Sequence, residues 1–251
     1  MQLLKPIIIA LTVVLLSSTA MANDPLFSKG LIAYHENDGK KAVKYWKRAA
    51  KHDNVSAMYS LGLLYSQGKI VKQDLDEAEK WFGRAAKKGV PEAQFQLGQL
   101  DADKNKYEDA AKWYMRAAKS DYARAQFELA LYYEEGKGVE KDLEQTEFWL
   151  LKAGENGSAP AQFKLVLIYM KGLGVEQNNA KAFYWATKAS ESGDANAKYL
   201  LGYMYLTGTG TVQSDQMAGI WLEDALDNGQ EKAQQLLDEL EKRAKKQLSS
   251  I

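Results

Sequence analysis

Between Ala57 and Tyr65 the apolar side chains recur with a helical period. Ala57, Leu61 and Tyr65, with Met58, Gly62 and Leu64 beside them, share one face of a helix. Gly68 predicts its end, because glycine enters the left-handed conformation that closes helices at no steric cost. A second amphipathic stretch follows, in which Ala78, Trp81, Ala85 and Ala86 form a small-large-small stripe. Asp74, three residues before Glu77, predicts its start as a capping box, and Gly89 predicts its stop. The segment therefore reads as a pair of helices, A and B.

The same pattern returns down the chain. Aligned on Trp81, the copies occupy residues 57–92, 93–124, 125–160, 161–196 and 197–232, and the copy at 93 lacks the glycine loop. Residues 23–56 read as a shortened first repeat: Asp24 and Pro25 open a helix, Phe27 and Gly30 match Phe95 and Gly98, and Ala42, Tyr45 and Ala49 match Ala78, Trp81 and Ala85. In residues 233–251, Ala233, Leu236, Leu237 and Leu240 continue the helix A spacing before a charged run, which suits a helix capping the end of a stack. Repeats of this period signal stacked helix pairs. The expected fold is all-α, a right-handed α/α solenoid, with Trp46, Trp81, Trp113, Trp149, Trp185 and Trp221 in its core.

Four motifs identify a family. They are Leu61-Gly62, repeated at 97–98 and 201–202; the GxGV loops at 136–139 and 172–175; Asp or Asn at 74, 142 and 178; and A-x-x-W-x-x-x-A-A at 78–86. Together they resemble the Sel1-like repeats, longer-looped relatives of tetratricopeptide repeats. Departures are local: Ala130 and Val166 replace the helix A glycine, and Thr146 replaces an alanine. The resemblance implies a non-enzymatic scaffold in the bacterial envelope that holds a partner protein or peptide in its concave groove, as motor accessory proteins and signalling regulators of this kind do. A module bound to envelope glycan or peptidoglycan is the other reading. A β-lactamase-like hydrolase is associated with the cysteine-rich subgroup of the family. This chain has no cysteine, so the resemblance lends that reading no support.

Composition narrows the compartment and the partners. Residues 1–22 read as a cleaved signal peptide: Lys5, an apolar run from Ile7 to Leu16, then Ala20-Met21-Ala22 before a cut ahead of Asn23. That run is well short of the roughly 20 residues needed to span a bilayer, so an exported, periplasmic protein with no integral membrane segment is expected. The remainder carries 32 basic and 33 acidic residues, whereas nucleic-acid binding normally brings a large basic excess.

No catalytic, cofactor or metal motif stands out. Asp101, Asp103 and Asn105 have the first spacings of a calcium loop, but its glycine is Lys106 and its closing glutamate Lys112. His35 and His52 lack ligand spacing. The Gly208-Thr209-Gly210 loop follows a helix and lacks the Lys-Ser/Thr of a phosphate loop. The basic run Lys40, Lys41, Lys44, Lys47, Arg48 and Lys51 reads either as a solvated outer face or as a surface for an acidic partner.

A helical wheel of helix A locates the candidate binding strip. Opposite the core stripe lie polar positions: Ser60 and Gln67, Gln96 and Asp103, Glu128 and Glu135, Lys164 and Lys171. On their flank runs a mostly apolar column, Leu63, Gln99, Leu131, Leu167 and Tyr203, joined by Leu200. Since helix A lines the inner groove in tetratricopeptide relatives, Leu63, Gln67, Gln96, Gln99, Glu128, Leu131, Glu135, Lys164, Leu167, Lys171, Leu200 and Tyr203 are the expected partner-binding residues. The column either lines that groove or packs against the next repeat's helix A.

Overall fold

Thirteen helices and no strand make up residues 24–248, the part of the chain that the computed structural model describes. The A helices are α1 (Pro25–His35), α3 (Val55–Gln67), α5 (Pro91–Asp103), α7 (Ala123–Glu135), α9 (Ala159–Lys171), α11 (Ala195–Thr207) and α13 (Ala233–Leu248). Between them lie the B helices α2 (Gly39–Lys51), α4 (Leu75–Lys87), α6 (Tyr107–Ala118), α8 (Leu143–Glu155), α10 (Asn179–Glu191) and α12 (Asp215–Asp227). The chain divides after Lys106 into two compact units. In each unit, successive helices pack on one another: α1 to α5 in the first, α6 to α13 in the second. The signal-peptide reading of residues 1–22 lies outside the described residues. None of the described helices is long and apolar enough to cross a membrane.

Side-chain caps set the helix starts. Asp38, Asp74, Asp142, Asn178 and Ser214 each accept the backbone N–H three residues ahead at the head of a B helix, and Asn54, Ser158 and Asp194 do so for A helices. Each such cap contributes about 1 kcal/mol. The expected capping box closes on one side only. The N–H of Asp74 donates to the carbonyl of Tyr65 at 3.0 Å, as Asp142 does to Tyr133, Asn178 to Tyr169 and Ser214 to Tyr205. The A–B loop thus folds back on the last turn of helix A, and Glu77 is released to accept from Lys80 and from the Trp81 indole, both at 3.0 Å.

Gly68 ends α3 at φ 66°. In the two short repeats the link has no glycine, and Asn37 (φ 58°) and Asn105 (φ 57°) take the left-handed conformation instead. Asparagine is among the few other residues that enter this region readily.

The core is built by exchange of volume between helix A and helix B. Gly30 lies flat on the ring of Trp46, and Gly202 on Leu222. At the same register Ala130 in α7 is matched by Leu150 in α8, and Val166 in α9 by Ala186 in α10, all four with no exposed surface. As the A residue grows, the B residue shrinks, which accounts for the two departures from the family glycine. Trp46 therefore fills the position of Phe82 rather than that of Trp81. Trp81, Trp149 and Trp185 are buried, and the Trp185 ring packs against Gly154 of the preceding B helix. Trp113 and Trp221 are only half-buried, so the expectation of six core indoles is corrected to four. The Arg116 guanidinium lies over the Trp113 ring at 4.5 Å.

Two contacts join consecutive repeats within each unit. Gln94, Gln126 and Gln162 donate to the carbonyls of Ala86, Ala118 and Gly154, at 3.3, 3.1 and 2.9 Å, satisfying carbonyls at the end of the preceding B helix. The A–B loop also docks on the first residue of the preceding B helix. A Cβ on Gly138 would stand 2.3 Å from the Tyr107 carbonyl, and one on Gly210 2.0 Å from that of Asn179. In the first unit the small residue changes sides: Ile70 occupies the loop position, and Gly39 at the head of α2 makes room for it.

Candidate functional site

The expected strip falls on five of the A helices, α3, α5, α7, α9 and α11, in the same register. On α3 it holds Leu63 and Gln67, and on α5 Gln96 and Gln99. In the second unit it holds Glu128, Leu131 and Glu135 on α7, Lys164, Leu167 and Lys171 on α9, and Leu200 and Tyr203 on α11. Residues three and seven apart fall on one helix face, so Leu131 and Leu167 each sit between two charged residues, while on α11 Leu200 and Tyr203 neighbour each other. The neighbouring Leu61, Leu129, Leu165 and Leu201 are core. Leu63, Gln99, Leu131, Leu167, Leu200 and Tyr203 are half-buried, whereas Glu135 and Lys171 at the helix ends are exposed.

The polar rim differs in part from the wheel. Ser60, expected outside, is buried at 3% exposure, because the angle around a helix does not report the depth of its neighbours. Lys164 reaches back to Glu134 of α7 at 2.7 Å and so joins consecutive A helices as an ion pair. Glu128 is half-buried, and burial pushes its carboxyl above the usual range against the nearby Arg124 and Lys137. One turn on, burial and the Glu128 charge raise the Tyr132 phenol to about 12. The Lys137 ammonium lies over the rings of Tyr107 and Tyr132, at 4.3 and 5.3 Å. In α9 burial, with a 2.5 Å bond from its hydroxyl to Glu147 of α8, also holds the Tyr169 phenol well above its ordinary value. Both phenols stay neutral under ordinary conditions.

A second row went unread in the sequence. Phe148, Tyr184 and Ile220, on α8, α10 and α12, are 46%, 54% and 50% exposed. Each precedes a repeat tryptophan, a place held by Lys80 and Lys112 in earlier copies. That change from lysine to apolar at one register was the available signal. The rings of Phe148 and Tyr184 stand edge-on to Trp149 and Trp185, at 4.9 and 5.1 Å. Among the described residues no group of three or more His, Asp or Glu side chains is placed to hold a metal ion.

The chain matches the model of the Sel1 repeat at residues 26–54, 55–90, 91–122, 123–158, 159–194 and 195–230. It is similar in structure to a protective antigen present in uropathogenic Escherichia coli strains that displays an SLR fold, with 31% identity and a TM-score of 0.78 over 84% of this chain. The match spans 47%, about half, of that antigen's length. It is also similar to a Sel1 repeat protein from Oxalobacter formigenes, with 27% identity and a TM-score of 0.69, covering 86% of this chain and 87% of the other.

Proposed function

This chain belongs to the Sel1 repeat family, and we propose that it is a non-enzymatic scaffold of the bacterial envelope that holds a partner protein or peptide along its A-helix strip. Sel1 repeat proteins are generally scaffolds for protein interaction. One observation carries the placement of the site. Leu131, Leu167 and Tyr203 recur on α7, α9 and α11 in a single register, all half-buried; Leu131 lies between Glu128 and Glu135, Leu167 between Lys164 and Lys171, and Tyr203 between Leu200 and Thr207. A row of apolar positions at helical spacing, edged by charge, fits an amphipathic helix or an extended peptide. Export by cleavage before Asn23 belongs to the same proposal, and intact mass of the secreted chain checks it.

Capture from envelope extract by the parent, by Leu167→Glu and by Tyr203→Ala tests the strip, with a photo-crosslinker at position 131 of all three proteins to mark the bound partner. The expected result is loss of the cross-linked partner with helicity and unfolding midpoint nearly unchanged. A large loss of stability in both variants assigns the column to the core and removes the site.

The exposed Phe148 and Tyr184 rings favour a second reading, a module that binds envelope glycan, because aromatic faces presented to solvent suit sugar rings. Binding to purified sacculi that is lost in Phe148→Ala and Tyr184→Ala supports it; equal binding by both variants and the parent removes it.

A further inference from the structure

Helix α2 concentrates charge of one sign. It carries Lys40, Lys41, Lys44, Lys47, Arg48 and Lys51 and no acidic residue, in a chain whose formal net charge is zero. Asp38 takes up Lys41 at 2.9 Å, and Lys47 reaches Glu77 at 3.8 Å. Lys40, Lys44, Arg48 and Lys51 are exposed and form no ion pair with any described residue. Their spacing of three and four residues aligns them as one ridge along the helix.

A cavity of about 480 Å³ opens beside this ridge, between α2 and the loop that follows α3. Val43, Val71 and Tyr65 give it apolar walls, Lys40 and Lys72 stand at its sides, and Asp74 contributes a carboxylate. The Lys47 ammonium lies 5.6 Å from the centre of the Tyr65 ring.

We infer that this face binds an acidic peptide segment in which an apolar side chain is flanked by carboxylates. The apolar side chain enters the cavity, where Asp74 repels an acid, while the flanking carboxylates meet Lys40, Lys44 and Arg48. An anionic membrane fits less well, because the exposed arc of α2 has no apolar residue to insert among headgroups. A nucleic acid fits less well too, since that arc offers no exposed aromatic ring for base stacking. The surface lies on a B helix of the first unit, so Leu167→Glu, which tests the A-helix strip, leaves it intact.

Fluorescence anisotropy of the whole chain with a labelled peptide of repeating Glu-Glu-Leu tests the inference. Lys40→Glu with Lys44→Glu is expected to weaken binding about tenfold or more, equivalent to ~1.4 kcal/mol, and added salt is expected to weaken binding by the parent. Lys40→Gln with Lys44→Gln gives a smaller loss in the same direction and serves if the reversed pair fails to fold. Val43→Phe, which fills the cavity, weakens the Glu-Glu-Leu peptide and leaves an all-Glu peptide unchanged. The inference is overturned if the parent does not bind the peptide, or if the charge variants bind it as the parent does. Equal affinity for the all-Glu peptide, or preferential capture by phosphatidylglycerol vesicles or a single-stranded oligonucleotide, also overturns it.

Discussion

The ring of Phe82 fills the space that a side chain on Gly62 would take: a Cβ there would stand 2.4 Å from Phe82 Cδ1. Gly62→Val therefore overpacks the first unit and is expected to cost about 1–3 kcal/mol. Combined with Phe82→Ala it recreates the Val166 and Ala186 pairing of a later repeat. The double variant should lose less than the sum of the two single losses, and urea melts of all four proteins measure that coupling. Simple additivity would show that the two positions do not share one volume.

The tryptophans separate by depth. Trp185→Ala removes a buried indole that packs on Gly154 of the neighbouring repeat, and the expected loss is about 3–5 kcal/mol. Trp221 is half-buried on the last B helix, so Trp221→Ala should cost clearly less. Denaturant midpoints decide the order, and equal losses would contradict it.

Two glutamates should respond to acid in opposite directions. The bonds from Lys80 and Trp81 lower the Glu77 carboxyl below its ordinary value. Its stabilising contribution is present above the unfolded-state value and is lost as pH falls through the folded one. Burial raises the Glu128 carboxyl, so its ionised form opposes folding at neutral pH. That opposition is relieved as pH falls through the folded value, and it is gone below the unfolded one. Thermal melts at neutral pH should show Glu77→Gln below the parent and Glu128→Gln above it, with both differences shrinking in acid. A Glu128→Gln melt below the parent at neutral pH would contradict the burial assignment.

Gln126 has no exposed surface, donates to the Ala118 carbonyl at 3.1 Å and accepts from Asn156 at 2.9 Å. Replacing it with leucine leaves that carbonyl and amide without their partner, and the expected cost is about 1–3 kcal/mol. Gln162→Leu, which strands the Gly154 carbonyl, should fall in the same range by chemical melts. Neutral replacements would mean that water satisfies both carbonyls.

The repeat period and the helix starts at Asp74 and Asp142 were legible because they depend on neighbours along the chain. The meaning of Ala130 and Val166 was not, since each reads as a lost glycine until the facing residue, Leu150 or Ala186, is known to exchange volume with it. Glu77 was assigned to the wrong donor for a related reason: the N–H of Asp74 is satisfied by Tyr65, across a loop whose return path the sequence does not spell out. On the candidate strip the wheel supplied the direction of Leu131 and Leu167 but not their depth. The pairing of Lys164 with Glu134 joins two helices 30 residues apart, and no local pattern announces such a partner.

The exchange of glycine between loop and helix makes the array grammatical rather than modular. A loop bearing Ile70 accepts as its predecessor a helix that begins with Gly39, while loops bearing Gly138 and Gly210 accept Tyr107 and Asn179. Copying residues 57–92 in tandem would bring a second Ile70 against Leu75, two bulky residues at a joint built for one. Lengthening this array by duplication thus demands a compensating change at the seam, and the order of its repeats is inherited as a sentence, each word agreeing with the one before it.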